Sequence, residues 1–453
     1  MLTFRLVPDF YGKRVVMIRH PHFETMPRAE LEKLQLERLK KTVAYVYERV
    51  PFYRDSMQKL GVKPDDIQTL ADVANLPFTS KLDFRDNYPF GLTCVPQDEV
   101  VCVHASSGTT GKPVIAPYTQ KDVDTWAELV ARSLVCAGMT REDTLQNAYG
   151  YGMFTGGLGL HYGGKQLGAT VVPASTGNTK RQLMMIQDLG TTAISCTPSY
   201  ALILHETAQE LGIDLYNGRL RLGILGAEPW SENMRADIEN KLGITALSIY
   251  GLTEIMGPGV SMECPHKNGM HIWEDHFLAE IIDPVTGKTL PYGEQGELVI
   301  TTLTKEAQPV LRFRTKDITR LITETCACGR TMARMVRITE RSDDMIRVRG
   351  VSVFPSQIES VLLTVEGIEP QYMIVVDRQN AFASDELEIW VEVSESIFSD
   401  KMALMSSLQI KLQRELDSVL GIKARIKLVE PRKLARTEGK AKRVVDRSEL
   451  PQL

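Results

Sequence analysis

The chain has no long hydrophobic run and no marked excess of charge of either sign. Its apolar stretches fall short of the ~18 residues that a transmembrane helix needs, and its N-terminus lacks the basic-then-apolar order of a secretion signal. Lysine and arginine number 53 against 57 acidic residues, so the formal net charge of −4 gives no bulk electrostatic reason to bind nucleic acid or an anionic membrane. We therefore expect a cytoplasmic protein whose partners are small molecules.

Cysteine is also scarce, with seven residues in a chain of 453. Without export signals, so few cysteines predict reduced thiols and argue against a disulfide scaffold. What the chain does contain is 43% hydrophobic and 24% charged residues, which is the balance of an ordinary globular protein. Its length suffices for about three average domains, or for one large composite domain and a small one.

The order of strand-like and helical segments indicates the fold class. From residue 98 to 260 the two kinds of segment alternate, which predicts layered α/β subdomains. Residues 278–323 contain strands separated by turns, and they predict an antiparallel, barrel-like region. After Arg341 a short charged stretch leads into a βαββα-like pattern. We predict a large N-terminal α/β domain, residues 1–342, and a small α+β domain, residues 343–453.

The most informative segment is a cluster of small, hydroxylated and basic residues at positions 106–113. It follows the apolar run Val100–Val103, which reads as a buried strand. Its glycines let backbone N–H groups turn toward one anion, and its hydroxyl groups and lysine add donors and charge. It is not a Walker A loop, which has Gly where Ser106 stands and Ser or Thr where Pro113 stands. A polar surface turn is the alternative. The predicted triphosphate-binding residues are Ser106, Ser107, Gly108, Thr109, Thr110, Gly111 and Lys112.

Later segments offer partners for the rest of a nucleotide. Residues 226–230 follow a strand-like run, which is where open α/β sheets bind ligands. After the next strand, Tyr250 offers an aromatic face, Thr253 a hydroxyl group and Glu254 a hard oxygen ligand suited to Mg²⁺. Asp317 is suited to accept hydrogen bonds from both ribose hydroxyls if it ends a strand beside the pocket. Taken singly, each residue also fits a capping, turn or surface role.

The order of these motifs resembles the adenylate-forming acyl-CoA synthetase superfamily. The motifs are SSGTTGKP, GAEPW, YGLTE, RFRTKD, ERSDDMIRVRG and EGKAKR. Within that superfamily, four longer segments closely resemble the phenylacetate–CoA ligase family: NAYGYGMFTGGLGLHYG, WEDHF, LTKEAQPVLRFRTKDITR and SDDMIRVRGVSVFPSQIE. The resemblance runs from about Phe52 to Val445. It implies ATP- and Mg²⁺-dependent ligation of an arylacetic acid, with phenylacetate as the expected acid, to coenzyme A through an acyl-adenylate, releasing AMP and pyrophosphate.

The resemblance also implies roles for single residues. By family analogy the 106–113 loop holds the β- and γ-phosphates, while Thr253 contacts the α-phosphate and Glu254 binds Mg²⁺. Asp317 holds the ribose, with Arg341 assisting. The residues implied around the adenine are Ala227, Glu228, Pro229 and Tyr250, with Gly251 as a further nucleotide-binding residue.

Three further implied roles concern the C-terminal part of the chain. Lys440 matches the family lysine that bridges the carboxylate and the α-phosphate during adenylation, a task suited to a compact ammonium on a flexible stem. Without the resemblance it reads as a solvated lysine in a basic tail, and Lys442 is the rival assignment. Asp343 matches the hinge about which the small domain rotates between half-reactions, with a simple linker turn as the alternative. Gly350 then lines the path of coenzyme A.

The acid pocket is assigned to an aromatic and glycine-rich stretch. Tyr149, Tyr151, Phe154 and the pair Gly156-Gly157, with Gly226, are suited to enclosing an arylacetate ring. For any single aromatic, ordinary core packing is an equal alternative. Phenylacetate and indoleacetate both fit this chemistry, so the sequence leaves the acid open.

Two rival functions remain at this level. One is an adenylating module that loads an aryl acid such as indoleacetate onto a carrier-protein thiol instead of coenzyme A. The other is a binding protein that retains nucleotide affinity without turnover, although the presence of Glu254 and Lys440 weighs against it. The family often dimerises, so the resemblance also implies a homodimer.

The remaining candidate chemistry is a zinc site. Cys326-Ala-Cys328 resembles half of a zinc knuckle, and Cys264-Pro-His266 with His271 supplies a candidate other half. We predict structural Zn²⁺ held by Cys264, His271, Cys326 and Cys328, with His266 as the rival fourth ligand. The alternative is four side chains without a metal, because this spacing is only moderately specific. The other cysteines are predicted to be core residues without a catalytic histidine partner: Cys94, Cys102, Cys136 and Cys196.

Overall fold

A computed structural model of the chain describes residues 17–106, 113–338, 340–341, 346–348, 351–377, 386–395, 397, 402–420, 422–434 and 443–447. Contacts between residues divide the chain into two compact units. The first consists of Met1–Cys196, Ile213–Ala227 and Ile244–Arg337, and the second of Thr197–Gly212, Glu228–Gly243 and Ile338–Leu453. The second unit thus includes two helical segments from the part of the sequence that predicts the large domain, and the predicted boundary at Asp343 lies outside the described residues.

The first unit contains a nine-stranded sheet among its described residues. In spatial order its strands are β13 (Leu321–Ile322), β14 (Arg334–Met335), β9 (Met270–Ile272), β8 (Gly257–Glu263), β7 (Thr245–Leu252), β6 (Leu222–Leu225), β5 (Ala193–Cys196), β3 (Thr144–Asn147) and β4 (Thr170–Val172). Strands β4, β3, β5, β6 and β7 are parallel, and the remaining pairs from β7 to β13 are antiparallel. Strands β5 and β6 are buried throughout, as parallel strands covered on both faces are, which explains their unbroken apolar runs.

The helices of the first unit include a closely packed pair. Its helices are α1 (Pro21–Glu24), α2 (Arg28–Arg49), α3 (Pro51–Leu60), α4 (Lys81–Asp86), α5 (Gln120–Cys136), α6 (Thr155–Leu167) and α7 (Thr179–Asp188), with 3₁₀ turns at Pro64–Asp66, Leu70–Asn75 and Gln97–Glu99. Helix α5 begins at the cap Thr119, whose hydroxyl accepts a hydrogen bond from the Asp122 N–H. The glycines of α6 allow it to approach α5, because a Cβ at Gly163 would lie 2.3 Å from Cγ1 of Val130.

Two smaller sheets complete the first unit. Strands β10 (Phe277–Ile282), β11 (Gly296–Thr302) and β12 (Phe313–Thr319) are each antiparallel to their neighbour, in agreement with the antiparallel strands predicted here. Strands β1 (Cys102–Ala105) and β2 (Ile115–Tyr118) form a hairpin on either side of the predicted phosphate loop. The prediction that Val100–Val103 is a buried strand is wrong. Val101 is 55% exposed, because a two-stranded sheet leaves one face to solvent.

The second unit combines helices with a four-stranded sheet. Its elements are α8 (Pro198–Glu210), α9 (Glu232–Leu242), β15 (Glu340–Arg341), β16 (Ile346–Val348), β17 (Val351–Val353), α10 (Pro355–Leu362), β18 (Ile368–Asp377), β19 (Glu386–Val393), α11 (Met402–Leu420), β20 (Arg425–Val429) and β21 (Val444–Asp446). The sheet order is β20-β19-β18-β21, with the central pair antiparallel and both outer pairs parallel. Apolar side chains of α10 and α11 pack with this sheet in one core. Across both units, the described helices include none that is long and apolar enough to cross a bilayer.

Candidate nucleotide and zinc sites

The turn between β7 and β8 presents two of the predicted nucleotide-binding residues. Gly251 lies where the two strands come closest, since a Cβ there would lie 1.7 Å from the carbonyl oxygen of Gly257, so no other residue fits. The chain then turns, and the N–H groups of Ile255 and Met256 donate to the carbonyl of Leu252. Thr253 lies in this turn with its hydroxyl 3.4 Å from that of Thr155. The hydrogen-bonded turn and the close pairing of β7 and β8 thus fix the positions of Thr253 and Glu254.

Glu254 is the most unusual carboxylate of this site. Its side chain is 2% exposed, and Oε1 has no hydrogen-bond partner among the described residues. Among the described residues, Lys81 at the start of α4 forms an ion pair with Glu254, with its Nζ 3.6 Å from that oxygen. A buried carboxylate oxygen without a hydrogen bond is costly, and the ion pair with Lys81 at 3.6 Å compensates this cost only in part. The donor set therefore fits a hard cation such as Mg²⁺, which prefers carboxylate oxygens.

A second cation lies behind the same turn. Nζ of Lys305 donates to the carbonyl of Ile255 at 2.9 Å and lies 4.5 Å from the centre of the Tyr118 ring. Burial lowers the pKa of Lys305 to about 8, while the negative charges of Asp122 and Glu254 act in the opposite direction. Neither Lys81 nor Lys305 is recognisable from the sequence, because an isolated lysine in a sequence resembles a solvated surface residue.

Tyr250 and Asp317 lie together, as the predicted nucleotide site requires. The Tyr250 hydroxyl donates to Oδ2 of Asp317 at 2.6 Å, which joins β7 to β12. Asp317 lies inside β12 rather than at its end, and its N–H donates to Oγ1 of Thr315. The neighbouring Lys316 has a φ of 67°, a left-handed conformation that is strained for a residue with a side chain. Such strain occurs where a surrounding structure fixes a functional group.

The segment after β6 shows similar backbone strain. Ala227 has a φ of 71°, and Gly226 approaches β7 so closely that a Cβ would lie 2.4 Å from the carbonyl oxygen of Ile249. In the second unit, Oε1 of Glu228 accepts a hydrogen bond from the N–H of Ser199 in the first turn of α8. This contact favours a helix-capping role for Glu228, and Pro229 follows it half-buried.

Several predicted residues lie beyond what the structure describes. Of the phosphate loop, Ser106 is described, and its N–H donates to the carbonyl of Val114. Arg341 is half-buried in β15 of the second unit. The predicted residues outside the described ranges are Ser107, Gly108, Thr109, Thr110, Gly111, Lys112, Asp343, Gly350 and Lys440.

The predicted acid-pocket aromatics have their hydroxyl groups bound within the protein. The Tyr149 hydroxyl donates to the carbonyl of Cys196 at 2.6 Å, and the Tyr151 hydroxyl accepts from Nδ2 of Asn147 at 2.8 Å. Phe154 is 51% exposed, so it is not a core residue. With the polar atoms of both tyrosines occupied, the aromatic faces are what this stretch offers to a ligand.

The four predicted zinc ligands form one cluster. Cys264 follows β8, His271 lies in β9, and a tight turn at Gly329 brings Cys326 and Cys328 beside them. The four ligand atoms lie within 4.8 Å of one another and all four residues are buried. The rival His266 is exposed and outside the cluster.

The spacing of the cluster matches tetrahedral coordination. Sγ of Cys264 and Sγ of Cys326 are 3.7 Å apart, and Sγ of Cys328 is 3.3 Å from Nε2 of His271. A tetrahedral zinc with bonds of about 2.3 Å to sulfur places its sulfur ligands about 3.8 Å apart. Hydrogen bonds from the Cys264 and Cys326 thiols lower the pKa of Cys328, whereas hydrogen bonding to Cys326 and Cys328 raises the pKa of Cys264, so these contacts favour a thiolate at Cys328 alone.

A buried ion pair supports this cluster. Nη1 of Arg330 lies 3.6 Å from Sγ of Cys328, and its Nε donates to Oε2 of Glu24 at 2.7 Å. The same guanidinium donates to the carbonyl of Met17, so the first described residue of the chain is bound to Arg330. Arg330 therefore places a positive charge beside the sulfur atom of Cys328.

Cys102 differs from its prediction as a core residue, because it is only half-buried. Cys102 has a histidine neighbour, because its Sγ lies 3.4 Å from Nε2 of His104. The signal was present in the sequence, since residues i and i+2 of a strand share a face. Nδ1 of His104 lies 3.1 Å from the carbonyl of Met153, and burial raises the pKa of the Cys102 thiol, so this pair favours a neutral thiol. Cys94, Cys136 and Cys196 are buried, as predicted.

Comparisons with known proteins agree with the fold and with this set of motifs. The AMP-binding enzyme family model matches residues 13–304, and the model of the AMP-binding enzyme C-terminal domain matches residues 350–448. Phenylacetate-coenzyme A ligase of Thermus thermophilus is 50% identical over 444 residues, which cover 95% of this chain and 99% of that protein. The corresponding protein of Escherichia coli is 49% identical, covering 93% of this chain and 96% of its own.

The chain belongs to the phenylacetate–CoA ligase family. A crystal structure of 2-hydroxyisobutyryl-CoA ligase in the postadenylation state with 2-HIB-AMP superposes on this fold with a TM-score of 0.89 at 31% identity, covering 94% of this chain and 91% of the other. The family resemblance and the α/β fold with a smaller C-terminal domain are therefore confirmed. The protein is an AMP-forming acid–CoA ligase, with ATP and coenzyme A as its substrates, and it joins acid and thiol through an acyl-adenylate.

Proposed function

We propose that this ligase activates an arylacetic acid, with phenylacetate as its substrate, and transfers the acyl group to coenzyme A. The observation that carries the site assignment is the buried Glu254 carboxylate, which lies beside Thr253 and has one oxygen without a hydrogen-bond partner among the described residues. A carboxylate in that state fits a divalent cation bound with the triphosphate. The relatives whose names contain phenylacetate support the choice of acid.

The physical difficulty of the first half-reaction is the repulsion between two anions. A carboxylate has to approach the α-phosphate, so the site needs positive charge and fixed donors where negative charge develops. Glu254 would hold Mg²⁺, which neutralises triphosphate charge when it is bound. The 106–113 loop would donate to the β- and γ-phosphates, Thr253 would donate to the α-phosphate, and Lys440 would bridge the two reacting groups.

The ribose and adenine of ATP would be bound by residues of β7, β12 and the segment after β6. Asp317 would accept hydrogen bonds from the ribose hydroxyls, with its carboxylate oriented by Tyr250. Tyr250 and the strained segment at Ala227 would border the adenine, and Gly226 and Gly251 allow the close backbone approaches that shape this region. Arg341 would assist at the ribose, whereas the bond from Ser199 to Glu228 favours a structural role for that carboxylate.

The choice of an aryl acid is supported by the aromatic stretch. The hydroxyls of Tyr149 and Tyr151 are already bound within the protein, so a ligand meets their ring faces, and Phe154 adds an exposed ring. Aromatic rings pair edge-to-face or offset with a substrate ring, with a gain of about 0.5–1.5 kcal/mol for each pair. An aliphatic acid of the same size gains less from such a pocket.

We also propose a structural Zn²⁺ bound by Cys264, His271, Cys326 and Cys328. The proposal rests on four buried ligand atoms within 4.8 Å of one another and on distances that suit a tetrahedral ion. With four protein ligands the coordination is complete, so this site has no open position for a substrate and its role is to fix three loops. On the family resemblance alone, we also propose that Asp343 is the hinge of the C-terminal domain and that Gly350 lines the path of coenzyme A.

Location and assembly are the last parts of the proposal. A cytoplasmic location rests on the expectation from the sequence. A homodimer is supported by the family resemblance, and light scattering coupled to size-exclusion chromatography measures the mass directly. A mass near that of one chain, at micromolar concentration, contradicts the dimer.

The test of the function is a panel of carboxylic acids assayed with ATP and Mg²⁺. We expect pyrophosphate and AMP to form with phenylacetate and related aryl acids, and the acyl-CoA to form when coenzyme A is added. Indoleacetate and a short aliphatic acid test which sizes of acid the pocket accepts. In a parallel assay, a phosphopantetheinylated carrier protein replaces coenzyme A as the acceptor. ADP and orthophosphate as products, or transfer to the carrier alone, would contradict the proposal.

A further inference from the structure

Lys305 is a buried ammonium with a fixed position behind the turn that presents Glu254. The residue is 4% exposed, and its Nζ donates to the carbonyl of Ile255, the residue that directly follows Glu254. The same ammonium lies 4.5 Å from the centre of the Tyr118 ring. An aromatic face and a carbonyl oxygen are both favourable neighbours for a cation, so the side chain has one defined position.

Hydrogen bonds to Asp122 also fix the backbone that directly follows Lys305. Asp122, in the first turn of α5, accepts hydrogen bonds from the N–H groups of Glu306 and Ala307 at 2.7 and 2.8 Å. The side chain of Glu306 points away from Lys305, toward Thr119 and Lys121. A rigid connection therefore runs from the start of α5, through Lys305, to the peptide beside Glu254.

The charges that face Lys305 come from three elements. Asp122 of α5 and Glu254 of the turn are the negative groups that interact with it, and His104 of β1 is a titratable group that interacts with the same ammonium. Burying an ammonium costs free energy unless nearby groups compensate it, and an apolar residue would fill the same space without that cost. A retained buried charge therefore indicates a use for it.

We propose that Lys305 is a positioning residue for the adenylation half-reaction. Its bond to Ile255 fixes the backbone next to Glu254, and its charge balances that carboxylate, so Lys305 sets where the carboxylate holds the divalent cation of the nucleotide. The inference rests on the proposed role of Glu254 as a magnesium ligand. The described contacts of the Lys305 ammonium are with the Ile255 carbonyl and the Tyr118 ring, so we assign it an effect through Glu254 and not a catalytic role.

The test measures two quantities: the binding of Mn²⁺, a stand-in for Mg²⁺, to the protein with a non-hydrolysable ATP analogue, by electron paramagnetic resonance, and the Mg²⁺ dependence of acid-dependent ATP–pyrophosphate exchange without coenzyme A. Mn²⁺ binding should weaken in Lys305→Met in parallel with the shift in exchange. In Lys305→Met we expect the half-saturating Mg²⁺ concentration to rise about 10- to 100-fold, as is typical when a group that orients a metal ligand is removed. The apparent KM for the acid should stay unchanged. Lys305→Gln keeps a donor for the Ile255 carbonyl without the charge, and we expect an intermediate shift. Lys121→Met is the matched control, because Lys121 is exposed in the same region and pairs with Glu306.

The outcomes separate this inference from the proposed function. Wild-type protein without aryl-acid-dependent exchange at any Mg²⁺ concentration contradicts the proposed function itself. Active wild-type protein with superimposable Mg²⁺ curves for Lys305→Met and Lys121→Met overturns only the role of Lys305. A uniform loss of rate with an unchanged Mg²⁺ requirement also overturns it. If both Lys305 variants fail to fold, as judged by circular dichroism, the residue has a structural role and the inference is wrong.

Discussion

The hydroxyl of Tyr250 donates a 2.6 Å hydrogen bond to Oδ2 of Asp317, and this bond joins two sheets of the first unit. Tyr250 lies in β7 of the nine-stranded sheet and Asp317 in β12 of the antiparallel sheet. A short bond to a carboxylate restricts its rotation, so the remaining lone pairs of Asp317 have a fixed direction. The two residues that the sequence motifs predicted for one nucleotide thus act as a unit.

Tyr250→Phe removes this bond and leaves the ring in place. A hydrogen bond to a charged group is worth about 1.5–3 kcal/mol, so we expect the apparent KM for ATP to rise about tenfold or more, with a smaller change in kcat. Steady-state kinetics of pyrophosphate release measures both constants. Tyr216→Phe is the matched control, because that tyrosine is exposed. An unchanged KM for ATP in Tyr250→Phe would show that the bond has no part in nucleotide binding.

Zinc content tests the cysteine cluster directly. Freshly purified wild-type protein should contain about one zinc per chain, and Cys326→Ser should contain about none, because serine is a poor ligand for this metal. Elemental analysis by mass spectrometry gives both numbers. Cys102→Ser is the control, since Cys102 lies outside the cluster. Chelation should also lower the melting temperature of the wild-type protein but not that of Cys326→Ser. Wild-type protein without zinc ends the proposal.

The buried pair of Arg330 and Glu24 supplies a stability prediction. Both residues are fully buried, so Arg330→Met leaves the Glu24 carboxylate without its closest cation. Removing one partner of such a pair costs about 3–5 kcal/mol, and the double variant with Glu24→Gln should recover part of this loss. Urea unfolding of the two single variants and the double variant measures the coupling. Additive losses would mean that the two side chains do not stabilise each other.

The cluster of Cys264, His271, Cys326 and Cys328 was predicted in part from the sequence. Cysteine is rare in this chain, and its spacing after Cys326 is visible without a structure, so the clustering of these cysteines was predictable, while their binding of zinc stays a prediction. The choice between His266 and His271 was not, because both follow Cys264 closely in sequence. Pairing of β9 with β8 and β14 decides it, since this pairing buries His271 and leaves the preceding turn at the surface.

The neighbours of Glu254 could not be predicted from the sequence. The motif YGLTE predicted a metal-binding carboxylate, but not that Lys81 and Lys305 lie beside it, because both are far from it along the chain. Lysine is so often exposed that an isolated one carries no signal. The fold class was predictable because alternating strands and helices specify a layered α/β arrangement, whereas the grouping of α8 and α9 with the second unit depends on long-range contacts.

Asp143 supplies a pH prediction. Burial tends to raise its pKa, but hydrogen bonds from the Thr140 N–H and the Thr192 hydroxyl, together with Arg221, lower it overall. A carboxylate with a depressed pKa contributes stability above its unfolded pKa, and that contribution is lost as the pH falls through the folded value. Asp143→Asn should therefore be less stable than wild type at pH 7, by about 1–2 kcal/mol, and the difference should shrink below about pH 4. Urea unfolding at both pH values measures it; an equal difference at pH 7 and pH 3 contradicts the assignment.

Lys440 allows the two half-reactions to be separated. If its ammonium bridges the carboxylate and the α-phosphate, Lys440→Ala should lose adenylate formation almost completely, because the developing charge has no counter-ion. Transfer from chemically prepared acyl-adenylate to coenzyme A should persist, since that step has already passed the anionic encounter. ATP–pyrophosphate exchange measures the first step, and thioester formation from the adenylate measures the second.

The neighbouring lysine provides the control for this prediction. Lys442→Ala changes the same charge in the same basic segment, so a general electrostatic contribution of the tail would affect both variants alike. A bridging role requires one ammonium at one place, and it therefore predicts that only Lys440→Ala loses exchange. Reversed phenotypes would move the assignment to Lys442. Equal loss of both steps in Lys440→Ala would instead mean that this lysine supports the fold of the C-terminal segment and not the first half-reaction.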